Sequence, residues 1–152
     1  MTKIEVGILG ATGMVGQRFV SLLEHHPWFE IKWLAASERS AGKTYGQACN
    51  WRLRDPMPKG AWNLPVYECK PGGAPHLLFS SLDSKVAGEV EKEFAQAGHL
   101  VVSNSSNFRM EPDVPLLIPD VNPDHLALIR EQQKQRNWKG AIVTNPIAPQ
   151  WV

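Results

Sequence analysis

A glycine-rich segment near the start of the chain has the composition of a phosphate-binding loop. Residues 10–16 read Gly-Ala-Thr-Gly-Met-Val-Gly and lie between a short apolar run and an amphipathic run. A diphosphate binds main-chain N–H groups that are presented at a helix N-terminus without side chains in the way. The spacing meets the G-x-G-x-x-G fingerprint only loosely, and a turn that binds nothing is the alternative. We expect a dinucleotide site formed by Gly10, Thr12, Gly13, Met14, Val15 and Gly16.

The polar residues that follow the second apolar run can distinguish NADP from NAD. Ser37, Arg39 and Ser40 provide hydroxyl and guanidinium donors suited to a 2′-phosphate. Glu38 argues the other way, because a carboxylate at this place holds the two ribose hydroxyls of NAD. A solvated polar loop is the third possibility. The donors favour NADP over NAD.

The elements that position these residues alternate in type along the chain. Strand-like apolar runs occupy residues 3–9, 30–36, 77–79, 100–103 and 141–144. Helical patterns occupy residues 14–26, a segment capped by Asp83 or Ser84 and closed by Gly98, and a segment opening at Asn122-Pro123. Residues 45–75 lack periodicity and read as a long connection with one or two short strands. This order predicts an α/β, Rossmann-like, doubly wound and mostly parallel sheet.

Apolar spacing predicts which face of each helix is buried. In the first helix the apolar positions are Val15, Phe19, Leu22 and Leu23. In the helix before Gly98 they are Val86, Val90, Phe94 and Ala97.

Composition excludes several classes of protein. The 152 residues carry 16 Lys and Arg against 15 Asp and Glu, and 43% are hydrophobic. A net charge of +1 lacks the basic excess that nucleic acid or anionic lipid requires. No apolar run is long enough to span a bilayer, and the two cysteines are too few for a disulfide framework. The histidines lack metal-ligand spacing. We expect a cytoplasmic protein with no nucleic-acid partner, no membrane partner and no metal site.

Six segments together resemble the N-terminal domain of aspartate-semialdehyde dehydrogenases of the archaeal and fungal type. They run in the family's order over nearly the whole chain, and this order is far more specific than the glycine loop alone. The matching segments are residues 10–16, 36–43, 79–84, 103–109, 114–125 and 144–146.

The resemblance implies an activity and a set of roles. The family interconverts aspartyl phosphate and aspartate semialdehyde with NADP, in the biosynthesis of lysine, threonine and methionine, as a homo-oligomer. By resemblance, residues 12–15 cradle the pyrophosphate, and Ser80 and Ser81 lie beside the nicotinamide end. Asn104 and Arg109 are implied to hold the substrate phosphate, for which a planar guanidinium is well suited.

The end of the chain departs from the family. The family's nucleophile is a cysteine in Asn-Pro-Asn-Cys, and by register Ala148 stands where that cysteine is expected. Residues 147–152 (Ile-Ala-Pro-Gln-Trp-Val) fit a one-base shift of codons for Asn-Cys-Ser-Thr-Met-Gly, which suggests a frameshift. We therefore expect an NADP-binding domain over residues 1–146, a divergent tail over residues 147–152, no second catalytic and dimerisation domain, and no catalytic activity.

Two other interpretations stay open at this point. The chain could be a stand-alone NADP-binding module, or a fragment of an enzyme similar to N-acetyl-glutamyl-phosphate reductase, which shares the glycine loop. The segments at residues 103–109 and 114–125 favour the aspartate enzyme.

Overall fold

The computed structural model describes residues 2–146, so the tail at residues 147–152 and the register of Ala148 lie outside the described residues. Six strands form one sheet: β1 Ile4–Leu9, β2 Phe29–Ala36, β3 Val66–Glu68, β4 Leu77–Ser80, β5 Leu100–Ser103 and β6 Ala141–Thr144. The helices are α1 Met14–Leu23, α2 Tyr45–Ala48, α3 Lys59–Trp62, α4 Ser84–Gln96 and α5 Leu128–Arg136, and a 3₁₀ helix over Pro123–Ala127 leads into α5.

The strand order explains where a ligand would bind. The order is β3-β2-β1-β4-β5-β6, and every pairing between neighbouring strands is parallel. From β1 the chain goes to β2 on one side, whereas β4 lies on the other side of β1. This reversal opens a crevice beyond the carboxyl ends of β1 and β4, which is the place where open α/β sheets bind ligands. The predicted Rossmann-like, doubly wound sheet is confirmed.

Two hydrophobic clusters cover the two faces of the sheet. Ile8 belongs to a cluster with Val20 of α1, and the next residue, Leu9, belongs to a second cluster with Phe94 of α4. Successive side chains of a strand point to opposite faces, so α1 and α4 lie on opposite sides. Residues 6–9 of β1 are buried on both faces, which accounts for the absence of charged side chains in this part of the strand.

The predicted helix faces are partly wrong. In α1, Leu23 is buried but Leu22 is exposed, and the helix ends at Leu23 rather than at residue 26. In α4 the buried positions are Ala87, Glu91, Phe94 and Ala95, whereas Val86 and Ala97 are exposed. The apolar spacing missed Ala87 and Glu91, because a small alanine and a hydrogen-bonded glutamate carry little hydrophobic signal in the sequence.

The irregular connection contains more structure than its sequence indicates. Its one strand, β3, adds to the edge of the sheet beside β2, as expected. The two one-turn helices α2 and α3 were not predicted; the first begins with a capping box between Thr44 and Gln47. Tyr45 of α2 and Ala61 of α3 belong to the same hydrophobic cluster as Val20 of α1, so the two short helices pack on the α1 side of the sheet. Among residues 2–146, no helix has the length and apolar character needed to cross a bilayer.

A partly buried ion pair fixes the segment that follows residue 109. Arg136 of α5 donates from Nε to Asp113 Oδ2 at 2.5 Å and from Nη2 to Asp113 Oδ1 at 2.8 Å. The Asp113 side chain is buried, and the guanidinium also lies over the rings of Phe108 and Trp138. The loop carrying Phe108 is thereby held against the end of α5.

We expect Asp113→Asn to lower the free energy of unfolding by about 2 kcal/mol at pH 7, because it leaves Arg136 without its buried counter-charge. The hydrogen bonds from Arg136 hold the pKa of Asp113 below its ordinary range. This contribution is therefore present above the unfolded pKa of about 4 and is lost as the pH falls through the lower folded value. Urea unfolding at pH 7 and pH 3 measures it. Asp120→Asn, at an exposed position, is the control, and an equal loss at both pH values would contradict the prediction.

Candidate functional site

The glycine loop joins the end of β1 to the start of α1 in a tight turn. The N–H groups of Gly10 and Ala11 both donate to the carbonyl of Ala35 in β2. Gly10 has φ +79°, which L-residues other than glycine seldom adopt. A Cβ on Gly16 would lie 2.1 Å from the Gly10 carbonyl oxygen, so only glycine lets the helix approach the loop this closely. The tight turn and the close helix packing expected at these two glycines are both present.

The open side of the loop carries main-chain donors. The amides of Met14, Val15 and Gly16 are the first of α1 and have no partner within the helix. Among residues 2–146 no side chain caps this end, since the residue at the cap is Gly13, and a Cβ there would meet nothing closer than 3.7 Å. The positive end of the helix dipole is therefore open to an anion.

Two buried side chains hold the opposite side of the loop. The Tyr45 hydroxyl donates to the Ala11 carbonyl at 2.8 Å, and Gln17 Nε2 donates to the Thr12 carbonyl at 3.0 Å. Gln17 also accepts from the N–H of Arg52 at 2.8 Å. These hydrogen bonds fix the Ala11 and Thr12 carbonyls and so hold the conformation of the loop that leads into α1. Sequence reasoning missed both residues, because Tyr45 lies in the irregular connection and Gln17 on the expected polar face of α1.

The predicted 2′-phosphate donors lie beyond the end of β2. Ser37 and Arg39 are exposed, whereas Ser40 is 9% exposed and its N–H donates to the Ser37 carbonyl. This turn lies at the same carboxyl edge of the sheet as the glycine loop. The structure thus brings Ser37 and Arg39 to the surface at this edge and leaves Ser40 little room to contact a ligand.

Ser80 and Ser81 differ in what their side chains contact. The Ser81 hydroxyl donates to the carbonyls of Leu9 and Gly10 at 3.0 and 3.2 Å, which ties the end of β4 to the glycine loop. The Ser80 hydroxyl is fully buried and donates to Glu91 Oε2 at 2.6 Å. Only Ser81 of the pair therefore lines the crevice.

A cavity of about 230 Å³ lies between the carboxyl ends of β4 and β5. Arg109 Nη2 donates to the Asn104 carbonyl at 3.1 Å, and Asn104 Oδ1 accepts from the Asn145 amide. Arg109 Nε is buried and has no hydrogen-bond partner among the described residues. A buried guanidinium donor without a partner suits an anionic ligand. The lining residues are Val15, Ser81, Leu82, Ser84, Asn104, Ser105, Ser106 and Arg109.

Neither cysteine fits the role of a nucleophile. Burial raises the pKa of the Cys69 thiol to about 11 and also raises that of Cys49. A thiol must ionise to attack, and burial disfavours the ionised form of both side chains. Within residues 2–146, no cluster of three His, Cys, Asp or Glu side chains could hold a metal ion.

Comparison with known proteins gives consistent results. Residues 5–129 match the family model described as semialdehyde dehydrogenase, NAD binding domain. The aspartate-semialdehyde dehydrogenase of Methanothermobacter thermautotrophicus is 54% identical over 145 residues, covering 94% of this chain. The malonyl CoA reductase (NADP) of Metallosphaera sedula is 42% identical over 146 residues, covering 95%. A crystal structure of the Candida albicans aspartate semialdehyde dehydrogenase with NADP superposes with TM-score 0.86, at 45% identity over 94% of this chain.

The matched part is the N-terminal portion of these relatives. The chain spans 42% of the M. thermautotrophicus protein, 41% of the M. sedula protein and 42% of the C. albicans chain. The family model covers the glycine loop, the polar segment after β2 and both strand ends at the cavity. The chain therefore belongs to the semialdehyde dehydrogenase family, as its NAD binding domain.

Proposed function

We propose that this chain is the NADP-binding portion of an aspartate-semialdehyde dehydrogenase, which interconverts aspartyl phosphate and aspartate semialdehyde in amino-acid biosynthesis. The observation that carries the proposal is the row of unpartnered amides at the start of α1, open to the crevice between β1 and β4. The resemblance in six segments and the 54% identity to the M. thermautotrophicus enzyme support the same conclusion.

The cofactor would lie along the carboxyl edge of the sheet. The amides of residues 12–16 would bind the pyrophosphate, with Gly10 and Gly13 leaving the approach clear. Ser37 and Arg39, with Ser40 beneath them, would hold the 2′-phosphate. Ser81 would border the nicotinamide end, and Ser80 would support it from below. NADP, when bound, supplies the hydride acceptor.

The cavity beside Ser81 would receive the acyl substrate. Arg109 Nε is the free donor, and its Nη2 bond to the Asn104 carbonyl sets the orientation of the guanidinium. A fixed guanidinium binds a phosphate through two parallel hydrogen bonds, as aspartyl phosphate or free phosphate would require. We also propose a cytoplasmic location and homo-oligomeric assembly for the complete enzyme, with residues 147–152 as a divergent tail.

A second candidate follows from the likeness to malonyl CoA reductase (NADP). Its name includes the same cofactor, so the NADP assignment does not depend on the choice of substrate. The higher identity to aspartate-semialdehyde dehydrogenases favours the aspartyl substrate. A stand-alone NADP-binding module is the third candidate, and it predicts cofactor binding without any turnover.

Titration with NADPH tests the proposal directly. We expect a change in cofactor fluorescence that saturates, together with NMR shifts concentrated in the amides of residues 12–16. Binding without any shift in this loop, or the absence of binding at millimolar cofactor, would contradict the proposed function.

We expect the 152-residue chain to show no phosphate-dependent reduction of NADP with aspartate semialdehyde. Position 148 is alanine, and burial raises the pKa of the thiols at positions 49 and 69, which disfavours the nucleophilic thiolate. The absorbance of NADPH at 340 nm measures turnover, with a full-length archaeal relative as the positive control. Measurable turnover by this chain would show that the family's cysteine is not required.

A further inference from the structure

One buried carboxyl joins the two strand ends that border the cavity. Glu91 of α4 is fully buried, and its Oε2 accepts hydrogen bonds from two serine hydroxyls. One belongs to Ser80, the last residue of β4, at 2.6 Å, and the other to Ser103, the last residue of β5, at 2.8 Å. Both serines are themselves fully buried. Glu91, Ser80 and Ser103 are called the carboxyl clasp below.

The carboxyl clasp is connected by hydrogen bonds and by adjacent residues to the side chains that line the cavity. The Ser103 hydroxyl accepts from the N–H of Ser105 at 3.0 Å, so the β5 loop is tied to the same group. The Asn104 N–H donates to the Ser80 carbonyl at 3.0 Å. On the β4 side, Ser81 follows Ser80 and bonds to the glycine loop. Residues 81, 104 and 105 all line the cavity, and each is one or two residues from the clasp.

The other oxygen of Glu91 gives a second reason to assign the clasp a special role. Oε1 is buried and has no hydrogen-bond partner among the described residues. Burial raises the pKa of Glu91 above its ordinary range, although the two serine hydroxyls oppose the shift. A buried polar group that is only partly satisfied destabilises the fold unless another requirement retains it.

We propose that Glu91 is a positioning residue for the nicotinamide end of the cofactor site, because it holds the ends of β4 and β5 in the arrangement that shapes the cavity. The inference rests on the proposed NADP binding and deepens it. Glu91 does not contact the ligand. It acts through the Ser80–Ser81 and Ser103–Ser105 connections, so its effect should be confined to the half of the dinucleotide that reaches the cavity.

This restriction separates positioning from simple stabilisation. Adenosine 2′,5′-bisphosphate carries the 2′-phosphate and the adenosine but has no nicotinamide, so it does not reach the cavity between β4 and β5. We expect Glu91→Leu to weaken NADP binding about tenfold and to leave the affinity for adenosine 2′,5′-bisphosphate within twofold. Glu91→Gln keeps an acceptor oxygen for the serines and should retain NADP affinity within about threefold.

The control is an equally buried polar residue elsewhere in the fold. Gln132 of α5 is fully buried and bonds to the main chain of Ile142 and Asp113. Gln132→Leu should lower stability and leave the ratio of the two affinities unchanged. Should Glu91→Leu fail to fold, Ser103→Ala tests the same clasp, since it removes one donor to Glu91 and the acceptor for the Ser105 amide.

The outcomes are distinct when both ligands are titrated by isothermal calorimetry against folded protein. A selective loss of NADP affinity, with rescue by Glu91→Gln, supports the inference. Equal losses for both ligands, or no loss in Glu91→Leu and Ser103→Ala, would overturn it and leave the proposed function intact. If the unaltered chain binds neither ligand, the proposed function fails and this inference fails with it.

Discussion

Gly16→Ala is expected to destabilise the domain by about 3 kcal/mol, the upper part of the range for overpacking a close contact. The added Cβ would lie 2.1 Å from the Gly10 carbonyl oxygen and 2.8 Å from two main-chain atoms of Ala11. Main-chain atoms of a tight turn cannot rotate away as a side chain does, so α1 itself must shift. Urea unfolding followed by circular dichroism measures the loss.

Gly13→Ala provides the matched control, because the same methyl group is added three residues earlier in the same loop. Its Cβ would have no neighbour closer than 3.7 Å, and its φ of −77° suits any residue. Stability should change by less than about 0.5 kcal/mol, whereas cofactor affinity should fall because the methyl group stands on the open side of the loop. Equal destabilisation by the two substitutions would contradict the close approach of α1 to Gly10.

Arg39→Ala is expected to lower NADP affinity about 10- to 100-fold, the loss that accompanies removal of charge-assisted hydrogen bonds. The affinity for NAD should hardly change, since NAD has no 2′-phosphate. The side chain is exposed beyond the carboxyl end of β2, and no salt bridge engages it within residues 2–146. Calorimetric titration with both cofactors measures the selectivity.

Arg130→Ala removes the same charge from an exposed position on α5 and controls for the change in net charge. It should leave both affinities unaltered. A similar loss of NADP and NAD binding in Arg39→Ala would overturn the assignment of Arg39 to the 2′-phosphate.

Much of the architecture was predictable because its signals are local. The apolar runs of β1, β4, β5 and β6 were located within one or two residues of their observed bounds. The glycines also made the turn predictable. Gly10 has φ +79°, and Gly16 contacts the main chain so closely that no residue with a Cβ fits there. The connection over residues 45–75 was less predictable, because one-turn helices such as α2 and α3 are too short to show a helical period.

The candidate site likewise has features that the sequence predicted and features that it did not. Ser80 and Ser81 are adjacent and chemically alike, and the sequence treated them as equals. Only the folded chain separates them, since strand alternation turns Ser80 towards α4 and leaves Ser81 at the crevice. Tyr45 supports the glycine loop from 34 residues away in the chain. Gln17 joins Thr12 of the loop to Asn50 and Arg52, which lie 33 and 35 residues from it, and the sequence does not predict these long-range contacts.

By itself, the amino-acid sequence determined the alternation of strands and helices, the glycine turn and the family, because these depend on residues that are neighbours in the chain. The tertiary structure alone decided that Glu91 is buried and that Val86 is exposed. Hydrophobic spacing assigns a glutamate to solvent. The structure buries Glu91 where two strands end beside it, and their serine hydroxyls replace the water that one carboxyl oxygen loses.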